Sequence, residues 1–159
     1  MKKFTLYSKK CVTIGGVGVL FAFLAFHQPE EPTVFIQNTL THFYNNDAES
    51  KPLKKVEINF TNTGFCRYRK TFANGKQEYF AFNLSKLKAI DYYGTTNKGD
   101  LYLRTKNDDV IVQTRNDRSG DIDSMGTYLI IPLKNIDADQ LNALSENFKK
   151  LNENLTAVK

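Results

Sequence analysis

Hydrophobic and polar residues alternate along most of the chain after residue 53. Val56, Ile58 and Phe60 are separated by charged or polar residues, which is typical of a half-buried strand. Similar runs predict about seven strands, over residues 54–60, 65–72, 77–84, 89–93, 100–105, 110–114 and 127–133. Their separators are short and rich in turn residues, and Asn74-Gly75 is typical of a tight hairpin. The pattern therefore predicts a mostly antiparallel meander.

The period changes to that of a helix near the C-terminus. Apolar residues there recur at steps of three and four, at Leu141, Leu144, Phe148, Leu151 and Leu155. This predicts an amphipathic helix over residues 137–155, with Asp137 as its N-cap and Gln140 as the capping-box partner. We expect the apolar stripe to cover the open sheet, and a coiled-coil dimer seam is the alternative.

About seven antiparallel strands followed by one C-terminal helix are similar to the pleckstrin-homology-like architecture, in which the helix plugs one end of a bent sheet. The resemblance covers about residues 54–155 and concerns the order of elements alone. It implies a mainly β (α+β) domain, a bent sheet or roll capped by the helix. No binding or catalytic residue follows from it, because many functions share one fold.

The first 26 residues are typical of an export signal or a membrane anchor. Four lysines precede residue 11, and residues 11–26 carry no charge. These 16 residues would span about 24 Å as a helix, somewhat less than the roughly 30 Å hydrocarbon core. A cleaved signal and an uncleaved anchor both stay open, with a buried core helix as a third possibility. Either of the first two places the domain outside the cytoplasm, in the periplasm or extracellular space.

A stalk and a short helix are predicted between this segment and the domain, over residues 27–53. Pro29 and Pro32 flank two glutamates, which favours an extended connector. Ile36, Leu40 and Phe43 have helical spacing and predict a short helix within residues 34–44.

Composition bounds the chemistry of the domain. The 159 residues are 41% hydrophobic and 25% charged, which fits one globular domain. Two cysteines and two histidines cannot supply most zinc, haem or iron–sulfur sites, and no histidine follows His42. We expect no cofactor and no histidine-dependent catalysis. Cys66 is interpreted as a small hydrophobic residue within a strand.

Positive charge is concentrated in residues 51–88, whose net charge is +7. Arg67, Arg69, Lys70 and Lys76 form a candidate binding patch for an anionic envelope surface or a protein. Strand alternation places Arg67 and Arg69 on one face and Lys70 on the other. Solvated surface cations are the ordinary alternative. Nucleic acid is not an expected partner, because the domain is nearly neutral and predicted to be exported.

Asp117, Asp121 and Asp123 lie close together in a polar segment and could bind a metal such as calcium. The alternative is a solvated turn whose carboxylates accept backbone hydrogen bonds. The tyrosines of the predicted strands could line a groove or fill the core: Tyr68, Tyr79, Tyr92, Tyr93, Tyr102 and Tyr128.

The sequence as a whole favours a non-enzymatic binding module that is exported or anchored at the cytoplasmic membrane through residues 11–26. Two other hypotheses stay open. One is a small periplasmic enzyme that uses the carboxylates of the 117–123 loop, and the other is a structural or inhibitory protein that acts through the basic hairpin.

Overall fold

The structure, a computed structural model, describes residues 30–157, so the predicted signal or anchor over residues 1–26 lies outside the described part. Helix α1 (Pro32–His42) begins the described fold and helix α2 (Ala138–Ala157) ends it. The strands between them are β1 (Leu53–Phe60), β2 (Phe65–Phe72), β3 (Gln77–Asn83), β4 (Leu87–Gly94), β5 (Lys98–Thr105), β6 (Val110–Arg115), β7 (Asp123–Gly126) and β8 (Tyr128–Lys134). Neither α1 nor α2 is long and apolar enough to cross a membrane.

The strands form two antiparallel sheets. The five-stranded sheet has the order β1-β2-β3-β6-β7 and the three-stranded sheet the order β4-β5-β8. Four hairpins join consecutive strands, and the chain crosses between the sheets after β3, β5 and β7. The predicted mainly β, antiparallel class is confirmed. The single bent sheet and the meander are not, because three of the connections leave one sheet for the other.

Strand β7 was not predicted. Its residues, Asp123–Gly126, have no alternation of apolar and polar positions, and the sequence places Asp123 in a loop. It forms because β6 offers an open edge, along which Ile111 pairs with Met125 and Val112 with Ser124. Pairing of this kind depends on a neighbouring strand rather than on local pattern.

The hairpin at Asn74-Gly75 is confirmed, with a longer loop than a two-residue turn. The backbone N–H of Phe72 donates to the carbonyl of Lys76, and that of Gly75 donates to the carbonyl of Phe72. Gly75 has a φ of +87°, whereas Asn74 does not have a positive φ. The connection is therefore a three-residue loop that ends in a left-handed glycine.

The core lies between the inner faces of the sheets and the two helices. Ile36 and Leu40 of α1 and Phe148 of α2 are fully buried there, and the Phe148 ring lies 5.5 Å from that of Phe60. The compact unit begins at Glu31, so the helix predicted within residues 34–44 is part of the fold as α1. The apolar stripe of α2 packs as core, as expected.

Helix α2 begins at a capping box, and the segment after α1 is tied to the three-stranded sheet. Asp137 and Gln140 exchange the two hydrogen bonds of a capping box, at 3.0 and 2.8 Å, as the sequence predicts. The segment after α1 pairs with β8, because Tyr44 forms a bridge with Leu133 and the N–H of Lys134 donates to the carbonyl of Phe43. Residues far apart in the sequence thus hold α1 in place.

Gly64 joins the β1–β2 turn to the end of α2. Its φ is +83°, and a Cβ there would contact the Leu155 side chain. Gly75 has nearly the same φ with open space around it, so it provides a matched control. We expect Gly75→Ala to lower the free energy of unfolding by about 1 kcal/mol, because an L-residue is strained at positive φ.

For Gly64→Ala we expect about 1 kcal/mol beyond that, from overpacking against Leu155. Urea unfolding followed by circular dichroism measures both variants. Equal losses would contradict the packing of α2 on this turn.

Candidate functional site

Strand β2 divides the predicted basic patch between two surfaces. Its residues alternate between exposed and buried, so that Arg67 and Arg69 point outward while the Lys70 side chain, 11% exposed, points inward. Lys76 follows the hairpin loop, and its ammonium lies on the same side as Lys70, because both contact Glu78. The facing predicted for β2 is confirmed, but the four cations do not form one patch.

Carboxylates enclose the two inward lysines. The Lys70 ammonium contacts Glu49 at 2.9 Å and Glu78 at 2.7 Å, and the Lys76 ammonium contacts Glu78 at 2.9 Å and Asp117 at 2.8 Å. We call these five residues the ion-pair network. Aromatic rings complete the enclosure of Lys70, whose Nζ lies within 6 Å of three ring centres: Tyr68, Phe72 and Phe80.

The network shifts the pKa values of several of its members. Burial alone would raise the pKa of Glu78, but the hydrogen bonds with Lys70 and Lys76 outweigh it and lower that pKa. The pKa of Asp117 is lowered by Lys76 and by the N–H of Ser119. Asp117 and Glu78 in turn raise the pKa of Lys76. All of these shifts favour the charged forms at neutral pH.

Two cross-strand rows make up the centre of the outer face of the five-stranded sheet. The polar row is Glu57, Arg69, Tyr79, Gln113 and Asp123. Members of this row form hydrogen bonds with one another: the Arg69 guanidinium donates to Glu57, and the Gln113 amide donates to Asp123 at 3.1 Å. The Glu57 carboxylate also accepts from Lys55, and these hydrogen bonds lower its pKa.

The second row is mostly apolar. It consists of Asn59, Arg67, Ala81, Ile111 and Met125, and we call it the arginine row. Within residues 30–157 the Arg67 guanidinium contacts no carboxylate, and its nearest partner in the structure is the Phe65 ring at 5.7 Å. Met125 is 53% exposed and Phe65 is 39% exposed. Arg67 is thus the one cation of the predicted patch without an acid partner in the described chain.

A concavity joins the two rows. Its volume is about 440 Å³, and its lining is Glu57, Asn59, Arg67, Arg69 and Tyr79. The charged side chains of the outer face are Lys55, Arg67, Arg69, Arg115, Glu57 and Asp123. Their net charge is +2, much lower than the +7 of residues 51–88 as a stretch of sequence. The folding of Lys70 and Lys76 inward accounts for part of this difference.

The acidic segment has partners within the protein. The Asp117 carboxylate pairs with Lys76 and accepts from the N–H of Ser119, as the solvated-turn alternative expects. The Asp121 carboxylate accepts from the N–H of Asp117, and Asp123 begins β7 and accepts from Gln113. Within residues 30–157 no group of three acidic, histidine or cysteine side chains is arranged to hold a metal ion.

A second cavity, the inter-sheet cleft, lies where β8 approaches the inner face of the five-stranded sheet. Its volume is about 300 Å³, and its lining is Ala48, Glu49, Lys70, Phe80, Asp100, Tyr128, Ile130 and Pro132. The residues from β8 alternate with buried Leu129 and Ile131, so they lie on the strand's other face. The cleft is therefore outside the apolar core.

Tyrosines extend from this cleft across the outer face of the three-stranded sheet. The Tyr102 ring lies 5.6 Å from that of Tyr128 and 5.2 Å from that of Tyr93. The Arg104 guanidinium lies 5.0 Å from the Tyr102 ring centre and is held by Asp91 at 2.7 Å. Tyr93 and Tyr128 are exposed, so the tyrosines serve both as surface and, at Tyr68, as core.

Two tyrosine hydroxyls and one thiol lie in the core. The Tyr44 and Tyr68 hydroxyls form a 2.7 Å hydrogen bond, and burial raises the pKa of Tyr44 to about 12. Burial also raises the pKa of the Cys66 thiol, which is fully buried on β2. The thiol therefore stays protonated and unreactive, which confirms the interpretation of Cys66 as a small core residue.

Comparison with known proteins identifies no relative. No protein-family model matches the chain, and neither a search of curated proteins nor one of solved structures finds a match.

Glu49, Glu78 and Asp100 were not predicted as site residues. A signal for Glu78 was present, because it shares a face of β3 with Phe80 and Phe82, and an acid in an apolar row usually has a buried cation opposite. Glu49 and Asp100 carry no comparable signal, since their positions in the cleft depend on how the two sheets meet.

The ion-pair network predicts a specific acid sensitivity. Because the pKa of Glu78 in the folded protein is below its ordinary value of 4.5, its contribution to stability is complete above that pH. It is lost as the pH falls through the lower, folded value. We expect Glu78→Gln to cost about 2 kcal/mol at pH 7 and to make the fall in stability below pH 4.5 shallower than in the wild type.

Urea unfolding at several pH values measures this effect. Glu153→Gln is the control, since Glu153 is 65% exposed and only 4.0 Å from Lys149. If both variants keep the wild-type pH dependence, the network does not stabilise the fold.

Proposed function

We propose that the domain is a non-enzymatic binding module that recognises a protein partner through the arginine row and its concavity. The observation that carries this proposal is the exposed Arg67 guanidinium, which has no acid partner within residues 30–157 and lies near the exposed Phe65 ring, in the same row as exposed Met125. Arginine and methionine are enriched at protein interfaces, and the guanidinium matches a carboxylate in two parallel hydrogen bonds. The partner is therefore expected to present a carboxylate next to an apolar surface.

The charge of the outer face favours a protein over an anionic membrane surface. Attraction to headgroups is about 1 kcal/mol per cation, so a net charge of +2 supplies little of it. Lys70 and Lys76 are already neutralised by the ion-pair network. Apolar Met125 and Phe65 fit a protein interface better than a hydrated headgroup layer.

The location of the module is proposed from the sequence. The lysine-headed, uncharged segment over residues 11–26 supports export or membrane anchoring, with the domain outside the cytoplasm. A pleckstrin-homology-like architecture is likewise a proposal, supported by the order of strands before one C-terminal helix.

A photocrosslinking amino acid at Ile111, in the full chain expressed in its own cells, tests the partner surface. We expect a protein crosslink, and we expect Arg67→Glu to weaken binding of the purified crosslinked partner by about tenfold or more. Lys150→Glu on α2 is the control with the same charge change. The partner proposal fails if position 111 gives no specific crosslink or if the two variants bind the partner alike.

Vesicles of phosphatidylglycerol provide a second arm of this experiment. Because the outer face has few unpaired cations, we expect no Arg67-dependent binding to them at physiological salt. Strong vesicle binding that Arg67→Glu removes would replace the protein partner with a membrane surface.

A reporter that is active only outside the cytoplasm, fused after residue 50, tests the location. We expect activity with the natural N-terminus and its loss when residues 11–26 are deleted, because the apolar segment directs export. A fusion that is inactive with the complete segment would contradict export.

A further inference from the structure

The inter-sheet cleft is a built cavity that the proposed partner surface does not use. It opens toward Lys70 on the inner side of β2, whereas Arg67 lies on the outer side of the same strand. A volume of about 300 Å³ is that of a site for a small molecule.

The charge of the cleft favours a cation. The cleft and the ion-pair network together contain Lys70 and Lys76 against Glu49, Glu78, Asp100 and Asp117. The net charge is −2. The one ammonium in the lining, that of Lys70, is already compensated by two carboxylates.

Asp100 is the acid that is available for a ligand. Its carboxylate lines the cleft and forms no hydrogen bond or ion pair within residues 30–157. Strand β5 fixes its position, because Asp100 pairs with Tyr93 on one side and with Pro132 on the other. A fixed, half-buried carboxylate gains more from a cationic partner than a fully solvated one does.

The walls of the cleft fit an apolar body attached to that cation. Phe80 and Tyr128 present aromatic surface to the cleft, against which apolar groups pack. Ile130 and Pro132 add aliphatic surface between them. A hydrated metal ion would match none of these walls.

We propose that the inter-sheet cleft binds a small organic cation, a primary amine on an aromatic or aliphatic body. The ammonium pairs with Asp100, and the body packs against Tyr128, Ile130 and Phe80. The site goes beyond the partner surface, and neither depends on the other, because they lie on opposite faces of β2.

Phenethylamine is the probe that tests this site, with 2-phenylethanol and 3-phenylpropionate as its neutral and anionic counterparts of similar size. Titrations of the purified full chain are followed by calorimetry. We expect saturable binding of the amine, binding of the alcohol at least about tenfold weaker, and no binding of the acid, because the site is selected by charge.

One variant and two controls locate the site. Asp100→Asn keeps the size of the side chain and breaks no hydrogen bond, and we expect it to weaken amine binding about tenfold while the melting temperature stays unchanged. Asp108→Asn, on an exposed turn outside the cleft, and Arg67→Glu, on the partner surface, are expected to bind the amine like the wild type.

The proposal is overturned if the amine does not bind up to its solubility limit or if the alcohol binds equally well. It is also overturned if Asp100→Asn and Asp108→Asn bind the amine alike. If Arg67→Glu loses partner binding but binds the amine normally, this site stands and the partner surface is separate from it. If the wild type binds its partner but not the amine, this site is removed and the partner surface is unaffected.

Discussion

A lysine ammonium on the inner face of a sheet must have carboxylate partners, and in this protein that requirement at Lys70 organises the surroundings. Isolating such a charge from water costs several kcal/mol unless opposite charges compensate it. Glu78 forms an ion pair with Lys70 from the neighbouring strand, and Glu49 forms one from the segment after α1. Glu78 also reaches Lys76, which holds Asp117. The segment that follows α1 and the loop that follows β6, neither of which pairs with β2 or β3 as a strand, are thereby held to one point of the sheet.

The alternation of β2 explains why one stretch of basic sequence serves two surfaces. Residues at odd positions face outward and include Arg67, which stays free of acids in the described chain. Residues at even positions face inward and include Lys70, which is enclosed. Net charge counted along the sequence therefore overstates the positive charge that the domain presents on any face. The outer face of the five-stranded sheet therefore carries only a small net positive charge, beside apolar side chains.

Local pattern was enough to predict much of this fold, and long-range pairing decided the rest. The alternation in β1 and β2, the hairpin at Gly75 and the capping box at Asp137 each depend on neighbouring residues, so the sequence revealed them. The division into two sheets depends on β6 pairing with β3 rather than with β5, and no local pattern encodes that choice. The site followed the same rule: the facing of Lys70 was predictable, but Glu49 lies 21 residues away.

The bridge between Tyr44 and Leu133 also constrains the order in which parts of the chain can fold during synthesis. The segment that ends α1 finds its backbone partners on β8, nearly the whole domain later in the chain. The backbone partners of this segment are therefore absent until β8 has been synthesised and has paired with β5. Closing such a long loop is slow, because the chain loses conformational entropy before any contact compensates for that loss. A chain emerging from the ribosome would keep the part of α1 that packs against α2 uncovered almost until synthesis is complete, and a chaperone can bind it there.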